Sequence, residues 1–452
     1  MLKRIIDYHL KQWKNREGRK PLLLRGARQV GKTHAVRQLG KSFSRFVEIN
    51  LESNEAARKI IEKDLDVQRI VFQLSELLQI KIEDGATLLF FDEIQNVPKA
   101  IIALRYFYEY LPKLHVIAAG SLLDFAIEQV GIPVGRVSTL YMYPLSFLEF
   151  LIALGHIEWA RLIIEASTLV EISEPLHEKL LNIVGIYLAI GGMPAAINEW
   201  NKAQMSREVK SVHSDLIYAY EQDFGKYAKQ HQIKYLNLLF LKAIEQLSNK
   251  FMFSRVGEYQ KRELAPALEL LEKAGLVYKV IRSAGQGVPI GAQANLDDFK
   301  IVFLDVGLSQ ALLSLDITAW FLDPLATFLN KGEIVEAFVG QELLAYSDPI
   351  KKEVLFYWQR ESRGSEAEVD YLIQLREQVV PIEVKAGASR RIKSMQMFLD
   401  SHLKSTYGIR FWAGPQTIDD RIYSYPLYAI IKPLMLANEH NFKAIKSLLS
   451  SE

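Results

Sequence analysis

A short glycine-containing loop constrains this chain more than any other feature of its sequence. Residues Gly26 to Thr33 read Gly-Ala-Arg-Gln-Val-Gly-Lys-Thr, which fits the pattern G-x-x-x-x-G-K-T. The apolar run Pro21 to Arg25 precedes the loop, and a stretch without Gly or Pro follows it, so the order is strand, loop and helix. Glycines let consecutive backbone N–H groups point inward, and the new helix adds the positive end of its dipole. This arrangement predicts a site for a nucleoside triphosphate, either ATP or GTP.

The residue types of the loop suggest separate roles at that site. Lys32 can reach the β- and γ-phosphates, and the hydroxyl of Thr33 can ligate Mg²⁺. The residues expected to surround the phosphates are Gly26, Arg28, Gln29, Val30, Gly31, Lys32, Thr33 and His34.

Composition limits what else the chain can be. The 452 residues carry a formal net charge of +2, so the overall charge gives no signal for nucleic acid. Cysteine is absent, which excludes disulfides, thiolate metal sites and cysteine nucleophiles. The N-terminus does not read as a signal peptide, and no apolar run approaches the ~18 residues that span a bilayer. We therefore expect a soluble, cytoplasmic protein without a membrane partner.

Short apolar runs alternate with helical stretches in the first part of the chain. Strands are predicted at Phe46 to Leu51, Ala86 to Phe91 and His115 to Ala119. This alternation favours an α/β fold, a parallel sheet with helices on both faces. Ligands bind such sheets at the carboxyl ends of the strands. The polar residues that follow the strands should therefore meet the phosphate loop at one edge.

Three polar residues at that edge are candidates for the hydrolysis of a nucleotide. Asp92 would hold Mg²⁺, while the adjacent Glu93 would polarise the attacking water. Ser121 would sense the γ-phosphate or orient the water. The plainer alternatives are an acidic pair at the start of a surface loop and an ordinary serine at the end of a strand.

Two further positions are candidates farther along the chain. Arg136 could neutralise charge in the transition state, acting on the nucleotide of a neighbouring subunit, although most arginines are simply solvated. Gly192 and Pro194 could form a rim against which adenine packs. The same residues could instead be a helix stop followed by a helix that starts with proline.

These motifs together resemble a known family. The run Gly26 to Thr33, the strand ending Phe91-Asp92-Glu93-Ile94-Gln95, and Gly120-Ser121 are similar to prokaryotic AAA-family predicted ATPases. Further shared motifs are Gly135-Arg136, Tyr143 to Phe147, Gly191 to Pro194, and the run from Lys300 through Asp305 to Leu308. In that bacterial and archaeal group the ATPase domain precedes a C-terminal domain of unknown function. The resemblance implies ATP binding and hydrolysis, with Gly192 to Pro194 near the base, and implies no physiological substrate.

The remainder of the chain suggests three more modules. We expect a P-loop AAA-type core over 1–145, a helical lid over 146–230, a winged-helix-like module over 231–320 and a nuclease-like α/β domain over 321–452. The prediction of a winged helix is based on two helices followed by a hairpin of two strands, Val277 to Ile281 and Lys300 to Leu304. Its segment Leu264 to Ala274 has mixed charges, so a structural role is favoured over DNA recognition.

The last segment contains a second candidate active site. Asp370 and Glu383 would lie side by side in a hairpin and hold Mg²⁺ or Mn²⁺, with Lys385 near a phosphate and Glu336 completing the set. This pattern is similar to the D…E-x-K core of PD-(D/E)XK, or restriction-endonuclease-like, nucleases. The alternative is a surface ion pair, since E-x-K is a short pattern. Glu383 ends an apolar run, where an unpartnered acid would be costly.

A basic helix after this hairpin, followed by a strand at Gly408 to Trp412, supports a nucleic-acid partner. Arg390, Arg391 and Lys393 could contact a phosphate backbone, although the helix lacks the tyrosine that some related nucleases carry. The sequence thus predicts an ATP-driven switch or motor acting on DNA, which can form a homo-oligomer. The alternative is a regulatory scaffold whose C-terminal domain binds partners without cutting nucleic acid.

Overall fold

The computed structural model describes residues 2–166, 172–315, 317–329, 331–360, 367–387, 392–435 and 439–449. Two compact units can be distinguished by their internal contacts. The first unit consists of residues 4–143 and 348–352, and the second contains residues 144–347 and 353–452. Each unit is built around its own β-sheet.

The first unit contains a sheet of five parallel strands. The strands are β1 (Leu22–Arg25), β2 (Arg45–Asn50), β3 (Thr87–Asp92), β4 (His115–Ala119) and β5 (Ser138–Tyr141). Their order is β2-β3-β4-β1-β5, and every neighbouring pair is parallel. The flanking helices are α1 (Ile5–Asn15), α2 (Lys32–Gly40), α3 (Glu55–Lys63), α4 (Val67–Leu78), α5 (Pro98–Tyr110) and α6 (Leu123–Val130). The predicted α/β fold with a parallel sheet is confirmed.

Burial explains why the strands of this sheet form where they do. Every residue of β3 and β4 is buried, as expected for central strands covered by helices on both faces. The strand β5 was missed in the sequence because only Leu140 within it is buried, so it lacks a continuous apolar run. It lies at the edge of the sheet beside β1.

The second unit begins with helices, and a further group of helices follows its first two strands. They are α7 (Phe147–Ala153), α8 (Ile157–Glu165), α9 (Glu174–Ile190), α10 (Pro194–Ala203), α11 (Ser206–Tyr227), α12 (Gln230–Lys242), α13 (Lys261–Lys273), α14 (Val306–Leu312), α15 (Thr318–Leu322), α16 (Pro324–Leu329) and α17 (Gly332–Ala345). Within the described residues, no single helix is long and apolar enough to cross a membrane. The pair α9 and α10 passes that test only as a helix pair bent by 119°.

A mixed eight-stranded sheet completes the second unit. Its strands are β6 (Val277–Ser283), β7 (Ala294–Phe303), β8 (Leu355–Gln359), β9 (Glu368–Leu375), β10 (Gln378–Lys385), β11 (Gly408–Trp412), β12 (Thr417–Asp419) and β13 (Ile422–Pro426). The order is β12-β13-β11-β10-β9-β8-β6-β7. The remaining helices are α18 (Lys393–Ser401), α19 (Ile431–Leu434) and α20 (Glu439–Leu449).

Two expectations differ from this arrangement in detail. The hairpin of the expected winged helix, β6 and β7, is not a free wing, because β6 pairs in parallel with β8 and thereby joins the large sheet. The sequence did not reveal this pairing, since β6 and β8 are far apart along the chain. The basic helix starts at Lys393, and Arg390 and Arg391 lie outside the described residues.

Candidate functional site

Two glycines give the phosphate loop its shape. The loop connects β1 to α2, and both Gly26 and Gly31 have positive φ angles, of 148° and 104°. A Cβ on Gly26 would lie 2.2 Å from the carbonyl oxygen of Met142, so no other residue fits there without a shift of the backbone. The loop therefore requires glycine at both positions for backbone geometry as well as for access to a phosphate.

The side chain of Lys32 folds back onto the loop. Its Nζ donates to the carbonyl oxygens of Gly26 and Ala27, at 2.9 and 2.7 Å. Burial lowers the pKa of Lys32 to about 8, although the nearby carboxylates of Glu93 and Asp92 oppose this shift. The ammonium group thus lies inside the loop, where it can transfer its hydrogen bonds to phosphate oxygens.

The predicted magnesium ligands lie in direct contact. Thr33 Oγ1 donates to Asp92 Oδ2 at 2.9 Å, from the start of α2 to the end of β3. Burial raises the pKa of Asp92, and the hydrogen bond from Thr33 opposes that shift. A hydroxyl and a carboxylate oxygen side by side suit Mg²⁺, which prefers hard oxygen ligands. The residues present therefore fit the ion that the fold implies.

Glu93, the predicted base, is held by a residue to which the sequence assigned no role. Its backbone has a positive φ of 51°, and its Oε2 accepts a 2.5 Å hydrogen bond from Nε2 of Gln95. A Cβ on Gly120 would lie 2.0 Å from Oε1 of Gln95, so this amide packs against the end of β4. Gln95 was visible in the sequence only as part of a family motif, because its contact with Glu93 depends on the turn between them.

The other predicted loop residues have different environments. Gln29 has a positive φ of 63° and is exposed, as is His34, whereas Val30 is buried. Arg28 is half-buried, and its charge lowers the pKa of Lys32 as a smaller cause beside burial. Ser121 is buried and lies two residues after the end of β4, at the carboxyl edge where the loop lies.

A buried arginine holds the phosphate loop by hydrogen bonds. Its role was not recognised in the sequence. The guanidinium group of Arg4 donates to the carbonyl oxygens of Val30 and Tyr143, at 2.8 and 2.7 Å. The contact with Tyr143 joins residues 139 positions apart, so no local pattern could have identified it. Arg4 therefore ties the phosphate loop to the residues that follow β5.

Arg136 lies at the opposite edge of the sheet from the loop. It precedes β5, whose first residue Ser138 pairs with Leu22, the first residue of β1, so it lies at the amino ends of these strands. Its Nε is 3.1 Å from a carboxylate oxygen of Glu109, and its guanidinium group lies over the ring of Tyr108. This position is compatible with the predicted role only if Arg136 acts on the nucleotide of another subunit.

Gly192 and Pro194 belong to the second unit and connect α9 to α10. The N–H of Gly192 donates to Oδ2 of Asp305 at 2.6 Å, and its carbonyl oxygen accepts from Leu145 N–H at 2.7 Å. Pro194 is the first residue of α10. This geometry matches the plainer interpretation, a helix stop followed by a helix that starts with proline. The adenine contact remains a prediction.

The second candidate site lies in the hairpin of β9 and β10. The register pairs Ile382 with Tyr371, which brings Asp370 opposite Glu383. Oδ2 of Asp370 accepts a 2.7 Å hydrogen bond from Val384 N–H, and Lys385 Nζ is 2.6 Å from Oε1 of Glu383. The other carboxylate oxygen, Oε2 of Glu383, is buried and has no hydrogen-bond partner among the described residues. Such an atom calls for a cation or a proton.

One further residue of this cluster is a lysine that was not identified from the sequence. Lys300, on β7, is buried, and its Nζ is 3.0 Å from Oε1 of Glu336 and also in contact with Oε1 of Glu368. Burial alone would lower the pKa of Lys300, but the nearby carboxylates, that of Glu336 first, outweigh it and raise this pKa. Glu336 is therefore in the predicted cluster, but it is paired with an ammonium group.

Electrostatics in this cluster favour protons or further cations. Burial, followed by the charge of Asp370, raises the pKa of Glu336 to about 8 and that of Glu383 to about 7. Within the described residues, no group of three or more His, Asp and Glu side chains is arranged to hold a metal ion. A metal ion in this cluster would therefore be bound by the Asp370–Glu383 pair together with backbone oxygens and water.

Comparison with family models divides the chain into three parts. Residues 18–151 match a model described as an AAA domain. Residues 184–318 match a domain of unknown function (DUF8612), and residues 331–430 match another (DUF4143). The chain carries an AAA-type ATPase core. No curated protein matches this chain.

Several solved structures are similar to the chain. The Walker-type ATPase PABY2304 of Pyrococcus abyssi is 16% identical over 69% of this chain and 96% of its own, with a TM-score of 0.44. The Aeropyrum pernix ORC1 protein, in a structure with DNA, is 14% identical over 71% of this chain and 94% of its own, with a TM-score of 0.30. PCH-2 of C. elegans is 17% identical over 44% of this chain and 62% of its own, with a TM-score of 0.25.

Proposed function

We propose that this protein binds and hydrolyses ATP at the phosphate loop and uses its nucleotide state to control a nuclease-like C-terminal domain acting on DNA. The observation that carries the ATPase part is the 2.9 Å contact between Thr33 Oγ1 and Asp92 Oδ2, with Glu93 next in sequence. This contact unites the two motifs that phosphate-loop ATPases need at one edge of the sheet.

The residues at this edge have separate roles in the proposed reaction. Lys32 releases its two carbonyl partners and donates to the β- and γ-phosphates. Glu93 accepts a proton from the attacking water, and Ser121 orients that water or the γ-phosphate. Thr33 and Asp92 hold Mg²⁺, which supplies neutralising charge at the phosphates when it is bound. Arg136 of a neighbouring copy neutralises negative charge in the transition state. This role requires a homo-oligomer.

The nuclease-like part of the proposal is supported by the order of elements in the second unit. The helix α17 is followed by β8, β9 and β10, then α18 and β11, where β8, β9 and β10 are antiparallel neighbours and β11 is parallel to β10. Asp370 and Glu383 face each other across β9 and β10, and Lys385 follows two residues later. Oε2 of Glu383, which has no hydrogen-bond partner in the part of the chain that the structure describes, fits Mg²⁺ or Mn²⁺ bound by this pair.

A scaffold that binds partners without cutting DNA is the second candidate function. The observation that favours it is the buried Lys300, which is paired with Glu336 and Glu368. An ammonium group that already pairs with two carboxylates reduces the need for a metal ion in the cluster.

A plasmid assay distinguishes the two functions of the C-terminal domain. Purified full-length protein is incubated with supercoiled plasmid, ATP and either Mg²⁺ or Mn²⁺, and the products are separated by gel electrophoresis. We expect ATP-dependent nicking that is lost in Asp370→Ala. Asp400→Ala, which removes an exposed carboxylate paired with Arg421, is the matched control and should cut normally. If the wild-type protein leaves the plasmid intact, or Asp370→Ala cuts equally well, the nuclease function is wrong.

A further inference from the structure

The carboxylate cluster of the second unit, defined here as Glu336, Glu368, Asp370 and Glu383, contains a cation supplied by the chain itself. Lys300 reaches this cluster from β7, and its side chain is only 2% exposed. Its ammonium group lies 3.0 Å from Glu336, contacts Glu368 and lies 5.1 Å from the centre of the Tyr357 ring. A buried lysine with partners of this kind is a fixed counter-ion.

The cluster divides into two halves with different partners. In one half, Glu336 and Glu368 share Lys300. In the other half, Glu383 has one oxygen on Lys385, while its second oxygen is buried without a partner in the described part of the chain. Asp370 lies opposite Glu383 across the hairpin, and its Oδ2 accepts a hydrogen bond from Val384 N–H.

The count of charges shows what the cluster still lacks. Four carboxylates face two ammonium groups, those of Lys300 and Lys385. The carboxylates outnumber the ammonium groups, and protons or a divalent cation can balance the charge that remains. Because Lys300 takes the half formed by Glu336 and Glu368, the buried Glu383 oxygen, which has no partner among the described residues, marks the half that still lacks a cation.

We infer that Lys300 is a built-in replacement for a second metal ion, so that the cluster accepts one divalent cation, at Asp370 and Glu383, instead of two. This inference rests on the metal site of the proposed function and adds its stoichiometry. Removing the ammonium group leaves Glu336 and Glu368 as a second pair of adjacent oxygen ligands. A divalent cation would then take the place of Lys300.

The test counts Mn²⁺ ions bound to the full-length protein without nucleotide, using the electron paramagnetic resonance signal of free Mn²⁺. We expect about one ion per chain for the wild-type cluster and about two for Lys300→Met, with all variants made in an Asp92→Asn background that removes the ion of the phosphate loop. The double variant Asp370→Asn, Glu383→Gln should lose one ion from either background. Lys279→Met is the matched control, because Lys279 lies on the neighbouring strand β6, is paired with Glu272 of α13 and should not change the count.

The inference about Lys300 and the metal site of the proposed function fail by different outcomes of this test. A wild type that binds no Mn²⁺ contradicts the metal site itself. A wild type and Lys300→Met that bind the same number contradict the role of Lys300 and leave the metal site standing.

Lys300→Met can be unfolded without metal, because it leaves two buried carboxylates unpaired. In that case Mn²⁺ should restore its thermal unfolding transition, and buffer without a divalent cation should not. Failure to fold at any Mn²⁺ concentration would contradict the inference. The triple variant with Glu336→Gln and Glu368→Gln should fold without metal and bind about one ion, as the wild type does.

Discussion

At the scale of single residues, burial controls the charge of Lys32. The pKa of this group is lowered to about 8 in the absence of nucleotide, chiefly by burial. A bound triphosphate places negative charge beside the ammonium group and raises this pKa. Binding should therefore take up a proton when the pH exceeds the pKa of the free protein.

The affinity for ATP should fall as the pH rises above about 8, by up to roughly tenfold per pH unit, because free Lys32 must then be protonated on binding. Isothermal titration calorimetry between about pH 7 and about pH 9.5 measures this dependence. In Lys32→Arg the guanidinium group stays charged throughout this range, so the dependence should flatten. A wild-type affinity that is constant over the whole range would contradict the explanation.

Gln95 controls the position of Glu93 by a 2.5 Å hydrogen bond. Gln95→Ala should lower the kcat of ATP hydrolysis by about tenfold, the loss expected for one hydrogen bond to a charged group, and leave KM nearly unchanged. Asn96→Ala is the matched control, because the Asn96 amide contacts the backbone carbonyl of Glu93 and not its carboxylate. A steady-state assay in which both variants lose the same activity would exclude a specific role for Gln95.

At the scale of elements, the end of α9 depends on a glycine and an aspartate. Gly191 has a φ of 78°, and a Cβ there would lie 2.0 Å from Oδ1 of Asp305. Asp305 is buried and also accepts from Leu308 N–H at the start of α14, so its carboxylate cannot move away easily. The turn before α10 and the start of α14 are thus fixed by the same side chain.

Gly191→Ala should destabilise the second unit by about 2–5 kcal/mol, from backbone strain and from the steric clash with Asp305. Gly225→Ala is the control, because Gly225 lies in α11 with nothing within 4 Å of the position that the added methyl group would take. This control should stabilise the unit by roughly 0.5–1 kcal/mol. Urea unfolding followed by circular dichroism gives both midpoints. Equal midpoints for the two variants would contradict the role of Gly191.

The sequence predicted elements well where one local pattern was sufficient. The strand β4 and the strand β11 have the predicted bounds, since each is a continuous buried run. The phosphate loop and the end of β3 were also recognised, because their functional residues are neighbours in sequence. The edge strand β5 was not, since it has little buried surface to produce a pattern.

Contacts between distant residues could not be predicted in the same way. The pairing of Lys300 with Glu336 joins residues 36 positions apart, and that of Arg4 with Tyr143 joins residues 139 apart. Neither pair has a spacing that any helix or strand period would indicate. The candidate sites were therefore found by their motifs, while the groups that adjust their charge and position required the structure.

At the scale of the whole molecule, the two candidate sites lie in two separate compact units of one chain. The proposed function links them through the nucleotide state, and this link depends first on genuine hydrolysis at the phosphate loop. A site that only binds ATP could act as a structural ligand site. The variants that separate binding from hydrolysis therefore decide the central claim.

The most direct test measures ATP binding and phosphate release on the same preparations of wild-type protein, Lys32→Ala and Glu93→Gln. We predict that Lys32→Ala loses ATP binding, because it removes the cation at the phosphates. Glu93→Gln should bind ATP with wild-type affinity and release phosphate at least about a hundredfold more slowly, because it lacks the base. Glu93→Gln hydrolysing ATP at the wild-type rate would contradict the account.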